Sequence, residues 1–131
     1  MIFEKSLNTK REELINITGT IQECVKSSGV EAGICYIHCP HTTAGITINE
    51  NADPDVVHDL LIGLDEAFPD RREFRHMEGN SSAHLKSSSV GPGLNVIIDN
   101  GRLVLGIWQG IYFCEFDGPR NRKYFIKIME G

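Results

Sequence analysis

Residues 94–129 read LNVIIDNGRLVLGIWQGIYFCEFDGPRNRKYFIKIM, and this stretch decides the fold. Apolar side chains alternate with polar ones along much of it, a period of two that is typical of strands with one buried face. Asn100-Gly101 lies between two apolar runs and is a strong signal for a two-residue hairpin turn. The pattern predicts four strands, over residues 94–99, 102–108, 110–117 and 122–129.

The clearest helix lies upstream of this stretch, over residues 54–68. Asp53 stands at its N-cap position, and Pro54 at its first helical position, where proline's fixed φ is favourable. Pro69 ends the pattern, because a proline cannot continue the helix. The apolar face of this helix consists of Val57, Leu60, Leu61, Leu64 and Phe68.

The remaining elements are shorter. Thr18 or Thr20 is expected to cap a helix over residues 19–28, which Gly29 ends. Residues 69–83 are polar and irregular, and a helical turn is expected near residues 82–89. Short apolar or alternating segments predict strands over residues 2–8, 12–17, 33–38 and 45–49.

These elements predict a mainly β (α+β) fold, a compact antiparallel β-sandwich with two or three inserted helices. The chain has 131 residues, of which 40% are hydrophobic and 24% charged, a balance that suits one folded unit with its own core. No internal repeat or linker divides it. Residues 1–131 are therefore expected to form a single domain.

The composition also indicates where the protein resides. No apolar run approaches the ~18 residues needed to span a bilayer, so no membrane partner is expected. The N-terminus lacks the basic region and apolar stretch of a signal peptide, so we expect a cytoplasmic protein. The cysteines form no C-x-x-C pair and are expected to be reduced thiols: Cys24, Cys35, Cys39 and Cys114.

Charge is distributed unevenly along the chain, whose formal net charge is −5. Residues 1–70 carry 4 basic and 12 acidic groups, whereas residues 71–131 carry 9 basic and 6 acidic groups. The acidic total argues against nucleic-acid binding, which needs a basic face to neutralise phosphates. A small anion needs only two or three focused cations, and the C-terminal half can supply them.

Three histidines in polar, loop-like stretches are candidate ligands of a divalent metal, with zinc as the expected ion: His41, His76 and His84. A catalytic zinc site takes three protein ligands, often histidines, and leaves a fourth position open. The alternative is that these are ordinary surface histidines, because their spacing matches no known zinc motif. Cys39 could be a further ligand or a nucleophile, or else a small buried hydrophobe.

A carboxylate and two guanidinium groups near the end of the chain form a second set of candidates. Strand alternation places Glu115 on one face with Ile111 and Phe113, where partial burial would raise its pKa toward values useful for proton transfer. Arg120 and Arg122 follow a Gly-Pro turn, and their planar donors suit phosphate or carboxylate. The alternative is a solvent-facing Glu115 and an Arg120 that pairs with a neighbouring carboxylate.

The stretch HTTAGITINEN, residues 41–51, with Asp53-Pro54 after it, resembles the central motif of the YjbQ-like proteins, a family named as secondary thiamine-phosphate synthases. The resemblance continues through EGN at 78–80 and AHLKSS at 83–88, and it closes with LGIWQGIY at 105–112 and EFDGPR at 115–120. It therefore covers nearly the whole chain.

This resemblance implies a β-sandwich with inserted helices that assembles as a homotrimer. An apolar strand from Ile107 to Phe116 also favours a covering subunit. The resemblance further implies that the three candidate histidines gather at one metal site. Its pocket would be lined by the acidic and amide residues Glu50, Asn80, Gln109 and Glu115, with ligand contacts from Thr42, Thr43, Asn49, Lys86, Arg120 and Arg122.

The function expected from this set is a metal-site enzyme of low or side activity, acting on a small phosphorylated metabolite. The metal would polarise a phosphate oxygen or a water, Glu50 or Glu115 would move the proton with Gln109 nearby, and Arg120 would hold the anion with Lys86 or Arg122. Two alternatives stand beside it: a non-catalytic metal- or metabolite-binding protein, and a metal-dependent hydrolase. The chain is too short for the β/α barrel that usually makes thiamine phosphate.

Overall fold

The computed structural model describes residues 1–131 and contains eight strands and three helices. The helices are α1 (Thr18–Ser28), α2 (Pro54–Ala67) and α3 (Ser81–Val90). The strands are β1 (Ile2–Asn8), β2 (Glu13–Asn16), β3 (Gly33–His38), β4 (Ala44–Glu50), β5 (Gly93–Asp99), β6 (Arg102–Leu103), β7 (Gln109–Glu115) and β8 (Asn121–Glu130). None of the helices is long and apolar enough to cross a bilayer.

Two antiparallel sheets form the framework. The larger has the strand order β1-β8-β3-β5-β6, and the smaller has the order β2-β7-β4. Alternate residues of both sheets meet in one hydrophobic core, to which α1 contributes Ile21 and Val25. The predicted α+β antiparallel fold with inserted helices is therefore confirmed.

β7 is buried on both faces by the chain itself. Ile111 and Phe113 lie in the main core, where neither is exposed. Tyr112, Cys114 and Phe116 belong to a second cluster with Ala83 of α3, and Val57 and Leu64 of α2 pack against that cluster. The two helices therefore cover the face for which the sequence suggested a neighbouring subunit.

The predicted cap of α2 is confirmed, since Asp53 accepts a hydrogen bond from the backbone N–H of Asp55 at 2.9 Å. No residue of this helix is fully buried, however. Its C-terminal end is tied down by two polar contacts, a hydrogen bond from the Ser82 hydroxyl to the Phe68 carbonyl and an ion pair between Lys86 and Asp65. α2 is thus a peripheral helix, held by a partly buried apolar face and by polar contacts near its C-terminal end.

Two local predictions were wrong. The N-cap position of α1 is Ile17, and the Thr18 hydroxyl instead accepts a hydrogen bond from the Ile111 backbone N–H at 2.8 Å. β6 contains only Arg102 and Leu103, because the chain then leaves the sheet for a turn closed by a hydrogen bond from Gln109 N–H to the Gly106 carbonyl. The helical turn expected near residues 82–89 is confirmed and is longer than expected, as the ten-residue helix α3.

Candidate anion-binding site

A pocket of about 260 Å³ lies where the start of β4, the N-terminal end of α3 and the turn before β8 meet. We call it the histidine–arginine pocket. Apart from Pro40, all of its lining residues are polar or charged. They are Pro40, His41, Thr42, Thr43, Glu78, Asn80, His84, Arg120 and Arg122. Seven predicted site residues are therefore brought together here: His41, His84, Thr42, Thr43, Asn80, Arg120 and Arg122.

Arg122 is the buried cation of this pocket, with a side chain that is 5% exposed. Its Nε and Nη2 atoms donate to the two carboxylate oxygens of Glu115 at 2.7 and 2.5 Å. Nη2 also donates to the Thr43 hydroxyl at 2.8 Å. A guanidinium has five N–H donors, and the bonds of Arg122 use those on Nε and Nη2, which leaves the two on Nη1 without an acceptor within the chain.

Glu115 is not exposed at all and receives four hydrogen bonds. Two come from Arg122, one from the Thr9 hydroxyl at 2.6 Å and one from the Asp117 backbone N–H at 2.9 Å. Burial alone would raise the pKa of Glu115, but the hydrogen bonds from Arg122, Thr9 and Asp117 outweigh it and hold this pKa below its usual value. The prediction of a raised pKa for Glu115 was therefore wrong. The alternation of side chains along a strand shows which face is buried, but it does not show which groups bond to Glu115.

Arg120 lies at the pocket mouth, with a side chain that is 47% exposed. Its Nε donates to the Asp117 carbonyl at 2.8 Å, and its Nη2 to the Asp117 carboxylate at 2.9 Å. Asn80 donates to the same oxygen of that carboxylate at 2.7 Å. Burial would raise the pKa of Asp117, but these bonds from Asn80 and Arg120 lower it, so the carboxylate stays charged and keeps Arg120 oriented.

The three histidines are only partly brought together. His41 lines the pocket, and its Nε2 contacts the backbone of Lys123, at 3.0 Å from the amide nitrogen and 3.1 Å from the carbonyl oxygen. Burial and the nearby Arg122 charge lower the pKa of His41, so its ring is neutral at pH 7. His84 also lines the pocket, and the exposed His76 packs edge-on against it with ring centroids 5.2 Å apart.

Within one chain, the three histidine rings do not form a complete metal site. No group of three or more His, Cys, Asp or Glu side chains has an arrangement that could hold a metal ion. In His41 the Nε2 atom is engaged by the Lys123 backbone, which leaves Nδ1 as the free ring nitrogen. Only the His76–His84 pair offers two adjacent imidazoles. A three-histidine site would therefore use Nδ1 of His41 or require Nε2 to release Lys123.

Lys86 lies away from the pocket and is a buried lysine paired with two more exposed carboxylates. Its side chain is 1% exposed, and its Nζ donates to Asp65 at 2.6 Å and to Glu12 at 3.2 Å. The interaction with Lys86 lowers the pKa of Asp65. Lys86 thus connects α3 to α2 and to the segment before β2.

Three other predicted residues lie at the opposite end of the small sheet. Glu50 is paired in register with Gln109, and Asn49 precedes Glu50 in β4. Glu115 is paired with Ala44, at the other end of this seven-residue strand, which puts the two ends about 20 Å apart. Glu50, Gln109 and Asn49 therefore do not line the same pocket as His41 within one chain.

Cys39 is a buried thiol, 2% exposed, that packs in the main core. Burial raises its pKa, with smaller opposing effects from the His41 backbone and Arg122. A protonated, inaccessible thiol is neither a good ligand nor a good nucleophile. Of the alternatives for Cys39, the structure supports the buried hydrophobe.

Comparison with known proteins places the chain among close relatives. A family model described as "UPF0047 protein YjbQ-like" matches residues 4–131. The UPF0047 protein YugU of Bacillus subtilis is 59% identical over 122 residues, which cover 92% of each chain. A UPF0047 protein of Methanocaldococcus jannaschii is 52% identical over 130 residues, covering 98% of this chain and 94% of the relative.

Two solved structures superpose closely on this chain. An uncharacterised conserved protein of the YjbQ/UPF0047 family from Clostridium acetobutylicum superposes with a TM-score of 0.95 at 55% identity, covering 97% of this chain and 99% of that one. A protein of unknown function from Sulfolobus solfataricus also gives a TM-score of 0.95, at 32% identity, covering 100% and 97% of the two chains.

Proposed function

The chain belongs to the UPF0047 YjbQ-like family, and from this premise we propose that it binds a small phosphorylated metabolite in the histidine–arginine pocket. The observation that carries the proposal is the pair of guanidinium groups, Arg120 and Arg122, each with Nη1 donors unused within the chain. Planar guanidinium donors match phosphate oxygens in spacing and charge.

The surroundings of the two arginines favour the same ligand. His41 contributes a neutral imidazole, and Thr42 and Thr43 add hydroxyl groups. The ten-residue helix α3 begins at Ser81, directly after the pocket residue Asn80, and helix N-termini attract anions. With a volume of about 260 Å³ and a lining that is polar or charged apart from Pro40, the pocket suits a phosphate group more than a large apolar ring.

Calorimetric titration tests this proposal with three probes: inorganic phosphate, glycerol 3-phosphate and glycerol. Both phosphate-containing probes are expected to bind, and glycerol is not. An Arg102→Lys variant, changed at an exposed hairpin position, serves as the matched arginine control and should bind phosphate like the wild type. Absence of binding by both phosphate-containing probes would overturn the proposal.

We propose further that the pocket supports an enzymatic activity of low rate, in line with the resemblance to secondary thiamine-phosphate synthases. His41 and His84 are the two imidazoles that line the pocket, and imidazole is the side chain most often used for general acid–base catalysis. Substituting His84 by Gln should reduce any turnover more than it reduces phosphate affinity. Turnover assays with both synthase substrates, followed by detection of released pyrophosphate, measure this difference.

A non-catalytic binding protein is the second candidate, and one observation favours it. Glu115 has no solvent exposure, and the hydrogen bonds from Arg122, Thr9 and Asp117 hold its pKa below the usual value, so it is a poor acceptor for a substrate proton. Glu50 and Gln109 lie at the other end of β4. Phosphate-ester binding without any product formation would support this candidate over the enzyme.

We also propose a zinc site at His76 and His84, with His41 as the third ligand after it releases Lys123. The adjacent imidazoles of His76 and His84 support it. Elemental analysis of protein purified without a histidine tag tests it, since His84→Ala should lower the zinc content sharply. His58→Ala is the control, because His58 is exposed and bonds only Asp59. Equal zinc content in all three proteins would reject the site.

Assembly and location complete the proposal. We propose a homotrimer in which neighbouring copies cover α2, because this helix has no buried residue and its Ile62 is 47% exposed. We also propose that the protein is cytoplasmic, since its four cysteines are free, buried thiols suited to a reducing compartment.

A further inference from the structure

We infer that Thr9 is a positioning residue of the histidine–arginine pocket, holding both arginines in the geometry that binds an anion. The inference rests on the proposed phosphate-binding function. Thr9 follows the last residue of β1 and is more than 100 residues away from both arginines in sequence. It is buried, with 7% exposure, and lies outside the motifs that carry the family resemblance.

Thr9 contacts the two arginines by different routes. Its backbone N–H donates to the Arg120 carbonyl at 2.9 Å, and its hydroxyl oxygen accepts from the Arg120 N–H at 3.1 Å. The same hydroxyl donates its proton to Glu115 at 2.6 Å. Thr9 thus fixes the backbone of Arg120 and, through a carboxylate, the side chain of Arg122.

The carboxylate transmits this restraint because Arg122 is held by both of its oxygens. Glu115 Oε1 is shared between Thr9 and Arg122 Nε, and Oε2 accepts from Nη2. This two-point contact fixes the plane of the guanidinium and leaves Nη1 as the part available to the pocket. Without the Thr9 hydroxyl, Oε1 would lose one of its two donors and the carboxylate could rotate.

Close packing keeps the end of β1 against the turn that carries the arginines. A Cβ atom at Gly118 would lie 1.9 Å from the Lys10 carbonyl oxygen and 2.9 Å from the Thr9 hydroxyl oxygen. The Gly118 N–H also donates to the Arg11 carbonyl at 2.8 Å. A glycine is therefore required for the two segments to approach so closely.

Two variants separate positioning from stability. Thr9→Val keeps the shape of the side chain and removes the hydroxyl, and Thr9→Ser keeps the hydroxyl. Thr18→Val is the matched control, because the Thr18 hydroxyl bonds the backbone of Ile111, four residues along β7 from Glu115. Inorganic phosphate is the probe for calorimetry, and a melting curve is recorded for each protein.

We expect Thr9→Val to weaken phosphate binding about tenfold, the size expected for one misaligned charge-assisted hydrogen bond. Thr9→Ser should restore the wild-type affinity. Thr18→Val should lower the melting temperature and leave the affinity unchanged. Equal affinity of Thr9→Val and the wild type would overturn the inference.

A ligand-free measurement keeps this test independent of the proposed function. The Arg122 Nε–H proton, bonded to a buried carboxylate, should give a slowly exchanging ¹⁵N–¹H resonance in the wild type and in Thr9→Ser. Thr9→Val should broaden or shift it. If the wild type binds no phosphate, the proposed function fails, and an unchanged Arg122 resonance in Thr9→Val would overturn the positioning role separately.

Discussion

Glu115 receives hydrogen bonds from a guanidinium, a hydroxyl and a backbone amide at a position with no solvent exposure. Transfer of an isolated carboxylate into such a place would be costly, and it is tolerated because Arg122 accompanies it with matched geometry. The same bonds keep Glu115 charged. At the scale of single residues, the partner of a buried group decides its chemistry more than burial does.

Glu115→Gln is expected to destabilise the protein by about 3–5 kcal/mol, because it leaves the buried guanidinium of Arg122 without a counter-charge. Urea denaturation at pH 7 measures the change. Glu66→Gln, at an exposed position of α2, is the control and should have little effect. A loss of stability no larger than that of the control would contradict the expectation.

The difference in stability between the wild type and Glu115→Gln is expected to depend on pH. The pKa of Glu115 is lower in the folded state, so its contribution to stability is fully present above its unfolded pKa, near 4.5. That contribution is lost as the pH falls through the lower, folded pKa. The stability difference between the wild type and Glu115→Gln should therefore shrink in acid and stay constant from pH 6 to 8. A difference that grows on acidification would reverse the assigned sign.

Arg120→Lys tests the guanidinium geometry at the pocket mouth. Lysine keeps the charge but cannot donate to the Asp117 carbonyl and carboxylate while also offering planar donors to a ligand. Phosphate affinity is expected to fall about tenfold, measured by calorimetry. If Arg120 only fixes the turn, the melting temperature would fall while the affinity stayed the same.

At the scale of elements, α2 depends on polar contacts near its C-terminal end. Lys86→Met removes the Nζ group that bonds Asp65, so α2 loses one of its ties to α3. Amide hydrogen exchange over residues 54–68 should become faster in this variant, because local opening of α2 costs less free energy. Lys26→Met, at an exposed position in α1, should leave this exchange unchanged. Unaltered exchange in Lys86→Met would show that α2 does not need the ion pair.

Elements that begin or turn at residues of restricted conformation were predictable. Asp53-Pro54 determines the start of α2, and Asn100 and Gly101 both adopt the positive φ, 50° and 72°, that a tight hairpin turn requires. The strand was predicted to continue through residues 104–108 because they are apolar, but the chain leaves the sheet after Leu103 and Ile107 is 84% exposed. Apolar character alone does not distinguish a strand from an exposed loop.

Across the fold, the sequence motifs predicted most residues that line the histidine–arginine pocket, but they also included residues that lie elsewhere. The HTT motif and the Asn80, His84 and Arg120 motifs converge because they lie at strand ends and a helix start on one side of the fold. Glu50 and Gln109 have the same chemistry and lie at the far end of β4 and β7. The type of a residue indicates which chemistry it can perform. Strand register, which decides the residues that share a pocket, and distant partners such as Thr9 follow only from the three-dimensional structure.

The proposed homotrimer can be tested by its mass in solution. Light scattering at micromolar concentration should give a mass three times the 14.6 kDa of one chain. Ile62→Glu should reduce that mass, because a charge on the exposed face of α2 would be costly in a covered interface. A mass equal to one chain for the wild type would remove the homotrimer. An unchanged trimer in Ile62→Glu would place the interface elsewhere.

The position of β8 has a consequence for how this chain folds as it is synthesised. β8 lies between β1 and β3 in the larger sheet, although it follows both in sequence. A nascent chain leaving the ribosome therefore carries two strands with unpaired edges until the strand that joins them emerges. Contacts between distant parts of a sequence slow folding, and open edges invite aggregation. We expect β8 to complete the larger sheet and the arginine side of the pocket in the same late event.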